Sequence, residues 1–95
     1  MTDEELDGLI LEVEEQVGRL PDESKQQLTG AERKQRALVL VRRRLLKRIK
    51  EARTDGDIRQ EAKAIAEYNM LMEYGTRNIL LYNFMRAKMN GLMWW

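Results

Sequence analysis

The sequence contains no cysteine and no histidine. The first absence excludes disulfides, thiolate metal sites and cysteine nucleophiles together, and it fits a reducing compartment. The second removes the commonest general base and the commonest metal ligand. Without histidine, the Glu-x-x-His spacing of di-iron bundles cannot arise from Glu12, Glu14 and Glu15 with Glu61, Glu67 and Glu73. Serine occurs once, at Ser24, with no imidazole to activate it. The DGD at 55–57 starts like a calcium loop, but Arg59 and Ala66 then occupy its fifth and twelfth positions, where oxygen ligands belong. Turn formation and capping account for that motif. The expectation is a protein that is not an enzyme, with no catalytic residues, metal, cofactor or small-molecule substrate.

Proline is also scarce, with one residue, and glycine numbers six, while Ala, Leu, Glu, Arg, Lys and Gln abound. That mixture favours helix over strand. No uncharged run approaches the roughly 20 apolar residues that a membrane-spanning helix needs. The opening MTDEELDG is acidic and lacks the basic start and apolar core of a signal peptide, so the expected address is the cytoplasm. Ninety-five residues suit one small domain spanning 1–95, and 43% hydrophobic against 35% charged residues is too apolar for disorder.

Three helices are predicted. Thr2 and Glu5 form a capping box for a helix over about 3–19, whose seam is Leu6, Ile10, Val13, Val17 and Leu20, with Leu9 widening it and Leu11 outside it. Gly18 and Pro21 end that helix, and 21–30 connects it to the next. Thr29 and Glu32 repeat the box for a second helix over about 30–53, with its apolar face along Ala31, Leu38, Val41, Leu45, Ile49 and Ala52, broadened by Val39 and Leu46. Gly56 reverses the chain and Asp57 caps a third helix over about 58–90. Two rows run along it, one from Ile58 through Ala62, Ile65, Asn69, Met72 and Thr76 to Ile79. The other runs from Ala64 through Tyr68, Leu71, Gly75, Asn78, Tyr82, Met85 and Met89 to Leu92, so this helix is expected to meet two neighbours. A mid-helix Gly75 marks a possible kink. The expected fold is all-α: a three-helix antiparallel bundle or long helical hairpin with coiled-coil-like packing, its third helix the longest.

Charge divides the chain more sharply than hydropathy does. Residues 1–24 carry nine acidic and one basic side chain, net −8; residues 25–53 carry eleven basic and two acidic, net +9; the remainder balances. The stretch VRRRLLKRIKEAR at 41–53 therefore has two readings. One makes it a nucleic-acid contact through Arg43, Arg44, Lys47, Arg48 and Lys50, flanked by Arg42 and Arg53, since phosphate contacts dominate such affinity. Against it stand the lack of zinc or helix-turn-helix spacing, of interleaved aromatics, and of a single basic stripe. The favoured reading pairs helices one and two antiparallel, with acidic rows beside basic ones.

All six aromatic residues lie between Tyr68 and Trp95, and five of the six methionines between Met70 and Met93. If helix three runs back along helix two, its end overshoots the hairpin and leaves Tyr82, Phe84, Met85, Met89, Leu92, Met93, Trp94 and Trp95 as a docking surface. The alternative folds this end back over Leu28 to complete the core. A lipid surface for MNGLMWW is disfavoured, with only Arg86 and Lys88 as basic support. The expected function is a helical interaction module, an assembly subunit or adaptor. It would form a homo-oligomer, a dimer favoured, or bind a partner protein. Nucleic-acid binding is the alternative.

Overall fold

The computed structural model describes residues 1–20, 28–75 and 79–92, without the side chains at 79 and 89–92. Within these limits the protein is all-helical. The elements are α1 (Asp3–Gly18), α2 (Gly30–Asp55), α3 (Ile58–Met70), a π-helical turn (Leu71–Gly75) and α4 (Ile79–Leu92). None of the described helices is long and apolar enough to cross a membrane.

Local chemistry sets each boundary. The Thr2 hydroxyl accepts from the Glu5 amide at 3.1 Å and donates to its carboxylate at 3.0 Å, which satisfies an orphan amide at the start of α1. At α2 the capping box is reciprocal, with Glu32 N donating to Thr29 Oγ1 and Thr29 N donating to Glu32 Oε1, both at 3.2 Å. Gly56 ends α2 at φ +70°, a left-handed conformation that costs glycine no Cβ clash. The amides of Gly56 and Asp57 close back onto the carbonyls of Arg53 and Ala52, a Schellman closure. Asp57 Oδ1 then accepts from the Gln60 amide at 3.1 Å and starts α3.

Packing follows the apolar rows. Leu6 and Val13 of α1, Val39, Leu45, Leu46 and Ile49 of α2, Ala64, Tyr68 and Leu71 beyond the reversal, and Tyr82 of α4 form one buried cluster. Leu28 is buried as well. Leu11 is 65% exposed, as its place outside the α1 seam predicts, and Ala31 is exposed at the start of α2.

The expected third helix is where the structure departs from the sequence reading. α2, with 26 residues, is the longest helix, and α-helical geometry in the third segment stops at Met70. The segment comprises α3, the π turn and α4, so the described elements number four helices and not three. A Cβ placed on Gly75 would lie 3.4 Å from Tyr82 Cβ and 3.5 Å from a Leu38 methyl. Residues seven apart in a straight helix are separated by about 10 Å along the axis, so α4 turns back against the π turn and α3. Of the two rows, that of Ala64, Tyr68, Leu71, Gly75 and Tyr82 is buried, while in the other Ile65 is half-buried against the core and Ile58, Ala62, Asn69 and Met72 are exposed.

The glycines offer a paired test. Gly8 lies inside α1 with nothing within 4 Å of a Cβ, so Gly8→Ala should stabilise the fold by about 0.5–1 kcal/mol through helix propensity. Gly75 is enclosed by Leu38, Leu71 and Tyr82, so Gly75→Leu should destabilise it by about 1–3 kcal/mol. Urea denaturation followed by circular dichroism reads both changes; equal effects would contradict the close approach of α4.

Candidate functional site

Two surfaces were candidates on sequence, and the basic one is largely committed within the fold. Arg43 Nε donates to Glu14 Oε1 at 2.7 Å, and Lys47 Nζ reaches the same oxygen at 3.1 Å. Arg42 contacts Gln16 and Glu12, and Lys50 pairs with Asp7. Arg53 joins three elements: Nη1 donates to Asp3 at 2.9 Å, Nε to Glu61 at 2.6 Å, and Nη2 to the Met1 carbonyl at 2.8 Å. Partner numbers fall along α2 as they rise along α1, so the two helices are antiparallel and their charged rows face each other. Of the nucleic-acid candidates, Arg43, Lys47, Arg48 and Lys50 all pair with carboxylates of their own chain, whereas Arg44 is exposed and makes no ion pair among the described residues.

These pairs also shift titrations. Hydrogen bonds from Arg43 and Lys47 hold the Glu14 carboxyl below its ordinary value. A lowered folded value means that this contribution to stability is present above the unfolded carboxylate range and lost as pH falls through the folded value. Glu61, then Asp3, raise the Arg53 guanidinium.

Glu67 on α3, weighed on sequence only among possible metal-site carboxylates, is a buried polar centre. It is 2% exposed and accepts from Arg48 Nη1 at 3.0 Å, across the α2–α3 contact. Tyr82 lies close enough to feel its charge. Among the described residues, Tyr82 Oη, Arg42 Nε and Arg86 Nε are buried without a hydrogen-bond partner. Burial, and next the Glu67 carboxylate, push the Tyr82 phenol above its ordinary value, while the positive charges of Arg86, Arg44 and Arg48 pull it the other way. Arg86 lies over the Tyr82 ring, 5.9 Å from its centroid.

The C-terminal surface is divided by α4 itself. Tyr82, expected on the docking face, is fully buried because α4 turns back and sets its ring into the core. Phe84, by contrast, is 62% exposed and Met85 half-buried. Met93, Trp94 and Trp95 lie outside the described residues, as do the side chains of Met89 and Leu92. Two residues that the sequence reading did not select, Leu80 (74% exposed) and Leu81, join Phe84 on the outward face. At 100° per residue Leu80 and Phe84 point roughly opposite Tyr82, so α4 is apolar on both sides. Lys88 Nζ stands 6.0 Å from the Phe84 centroid. No group of three or more Asp or Glu among the described residues is placed to hold a metal ion.

The buried polar groups generate two predictions. Tyr82→Phe removes a hydroxyl without a partner, so stability at neutral pH should be unchanged or rise by about 1 kcal/mol. The raised phenol contributes stability below its unfolded value of about 10, and that contribution is lost as pH rises through the folded value. Wild type should therefore lose more stability than Tyr82→Phe above about pH 10, in urea titrations run from neutral to alkaline pH. Arg48→Ala, which strands the buried Glu67 carboxylate, should cost about 1–3 kcal/mol. Glu67→Gln, which leaves Arg48 free to reach water, should cost less; the reverse order would contradict the burial of Glu67.

Comparisons with protein-family models, with curated proteins and with solved structures find no match to this chain.

Proposed function

We propose that this chain is a non-enzymatic helical interaction module, an assembly subunit or adaptor, that docks a second copy or a partner protein through α4 and the residues that follow it. The observation that carries the reading is the outward apolar face of α4, where Leu80, Leu81 and Phe84 are exposed although the inward face already supplies Tyr82 to the core. A helix apolar on both faces meets partners on both, and an exposed aromatic with flanking leucines is the anchor that a helix-in-groove contact uses. Met85, Met89, Leu92, Met93, Trp94 and Trp95 extend the surface in sequence with the side chains that interfaces favour. Nucleic-acid binding is the weaker reading, because most of the α2 cations already face carboxylates.

Size exclusion coupled to light scattering tests the proposal on the whole chain and on the Leu80→Ser/Phe84→Asp variant. In about 0.5 M NaCl, where contacts between charged faces are screened, the parent should exceed the monomer mass, and the variant should fall to monomer with unchanged helicity, since neither side chain is buried. A parent that stays monomeric at every attainable concentration, with a variant of equal mass and solubility, sinks the self-association reading. Binding to generic DNA should be absent even at low salt.

A further inference from the structure

The outward faces of α1 and α2 carry a second heptad pattern that the intramolecular packing does not use. On α1 it is Glu4, Gly8, Leu11 and Glu15, spaced four, three and four, all exposed. On α2 it is Arg33, Ala37, Leu40, Arg44, Lys47 and Glu51, spaced four, three, four, three and four, with Ala37 and Leu40 half-buried and the rest exposed. Of the charged groups in these rows, Lys47 also reaches Glu14 of its own chain from the edge of the face. Among the described residues Glu4, Glu15, Arg33 and Arg44 make no ion pair, and nothing approaches within 4 Å of a Cβ on Gly8. A glycine inside an exposed helix weakens it, and no close contact within the chain requires one there.

We infer that the α1 face of one copy docks antiparallel on the α2 face of a second copy. One register satisfies both size and charge. When Gly8 is set against Leu40, Leu11 falls on Ala37, so two small residues receive two leucines. In that register Glu4 meets Arg44 and Glu15 meets Arg33. The occupant is another copy of this chain because its own α2 supplies the complementary sign, side-chain size and spacing. The intramolecular contact cannot supply them, since it engages the opposite face of α1 through Leu6 and Val13. The contact joins unlike faces, so it is heterologous and propagates unless the copies close a ring. A single pair of short helices is at the small end of stable interfaces, so association is weak, dependent on concentration and screened by salt. It involves neither α4 nor Phe84, and so stands apart from the apolar docking proposed above.

Sedimentation velocity at about 20 mM and about 0.5 M NaCl, over a range of concentrations, tests it, since the second condition shortens the screening length several-fold. Wild type should show a steeper rise of sedimentation with concentration at low salt than at high salt, where only contact through α4 remains. Glu4→Lys/Glu15→Lys and Arg33→Glu/Arg44→Glu should each abolish the salt-sensitive part. The four substitutions combined should restore it, at the same net charge as wild type. The ion pairs of the fold itself, Asp3–Arg53, Asp7–Lys50 and Glu14–Arg43, remain intact in all three variants, and circular dichroism checks their helicity. The inference is overturned if wild type sediments identically at the two salt concentrations, or if the combined variant associates no better than either half.

Discussion

The structure depends on placing its most basic helix at its centre. Leu45, Leu46 and Ile49 of α2 are fully buried, yet the segment that contains them carries net +9. Such a helix can be central only if its neighbours present carboxylates where its cations emerge. α1 does so on one flank with Asp3, Asp7, Glu12 and Glu14, and α3 on the other with Glu61 and Glu67. The two kinds of interaction have different weights. A buried Leu or Ile contributes about 1.5–3 kcal/mol, whereas an exposed ion pair contributes roughly 0–1. Apolar burial therefore holds the helices together, and the charges select which helix lies beside which, and in which direction.

At the far end of the core Gly75 lies close to α4, where an added Cβ would come 2.8 Å from a Leu71 methyl and 3.4 Å from Tyr82 Cβ. The buried row of α3 continues through Leu71 to Gly75, where the lack of a side chain lets Tyr82 approach from α4. A large side chain at 75 would occupy the space of the Tyr82 Cβ and the Leu38 methyl together. The π geometry of 71–75 lies immediately before this contact, in keeping with the use of such turns where a helix must be redirected. Tyr82 brings its hydroxyl into the core with it, near the Glu67 charge, and there the hydroxyl lacks a partner among the described residues. The contact of α4 with the core thus combines an apolar gain with a polar penalty.

Much of this was legible in the sequence because it is written in local chemistry. Thr2 with Glu5, Thr29 with Glu32, and Gly56 with Asp57 mark their boundaries through short-range hydrogen bonds, and the α1 seam places Leu6 and Val13 inside and Leu11 outside. The antiparallel charge match was legible as well, since segment charge needs only the order of the helices. The break after Met70 was not. The heptad spacing of Leu71, Gly75 and Tyr82 is the same whether the helix continues or turns back on itself, so periodicity cannot separate the two, and only Gly75 hinted at the turn. Counting rows also hid the faces between them: Leu80 and Leu81 were overlooked, and Glu67 was weighed only as a metal-site carboxylate because its partner, Arg48, lies on another helix.

The two outward surfaces are consequences of these same two constraints, and they differ in physical kind. Turning α4 back buries one of its apolar faces and leaves Leu80, Leu81 and Phe84 on the other, so contact there is driven by removing carbon from water and responds little to salt. Segregating charge between α1 and α2 uses the acidic and basic rows along their shared flank, while Glu4 and Glu15 on one helix and Arg33 and Arg44 on the other face outward. A helix long and charged enough to select its neighbour within the chain retains unmatched charge of the same sign on its opposite side. On the inference drawn above, the attraction that brings α1 to α2 inside one molecule acts again, at reduced strength, between α1 of one molecule and α2 of the next.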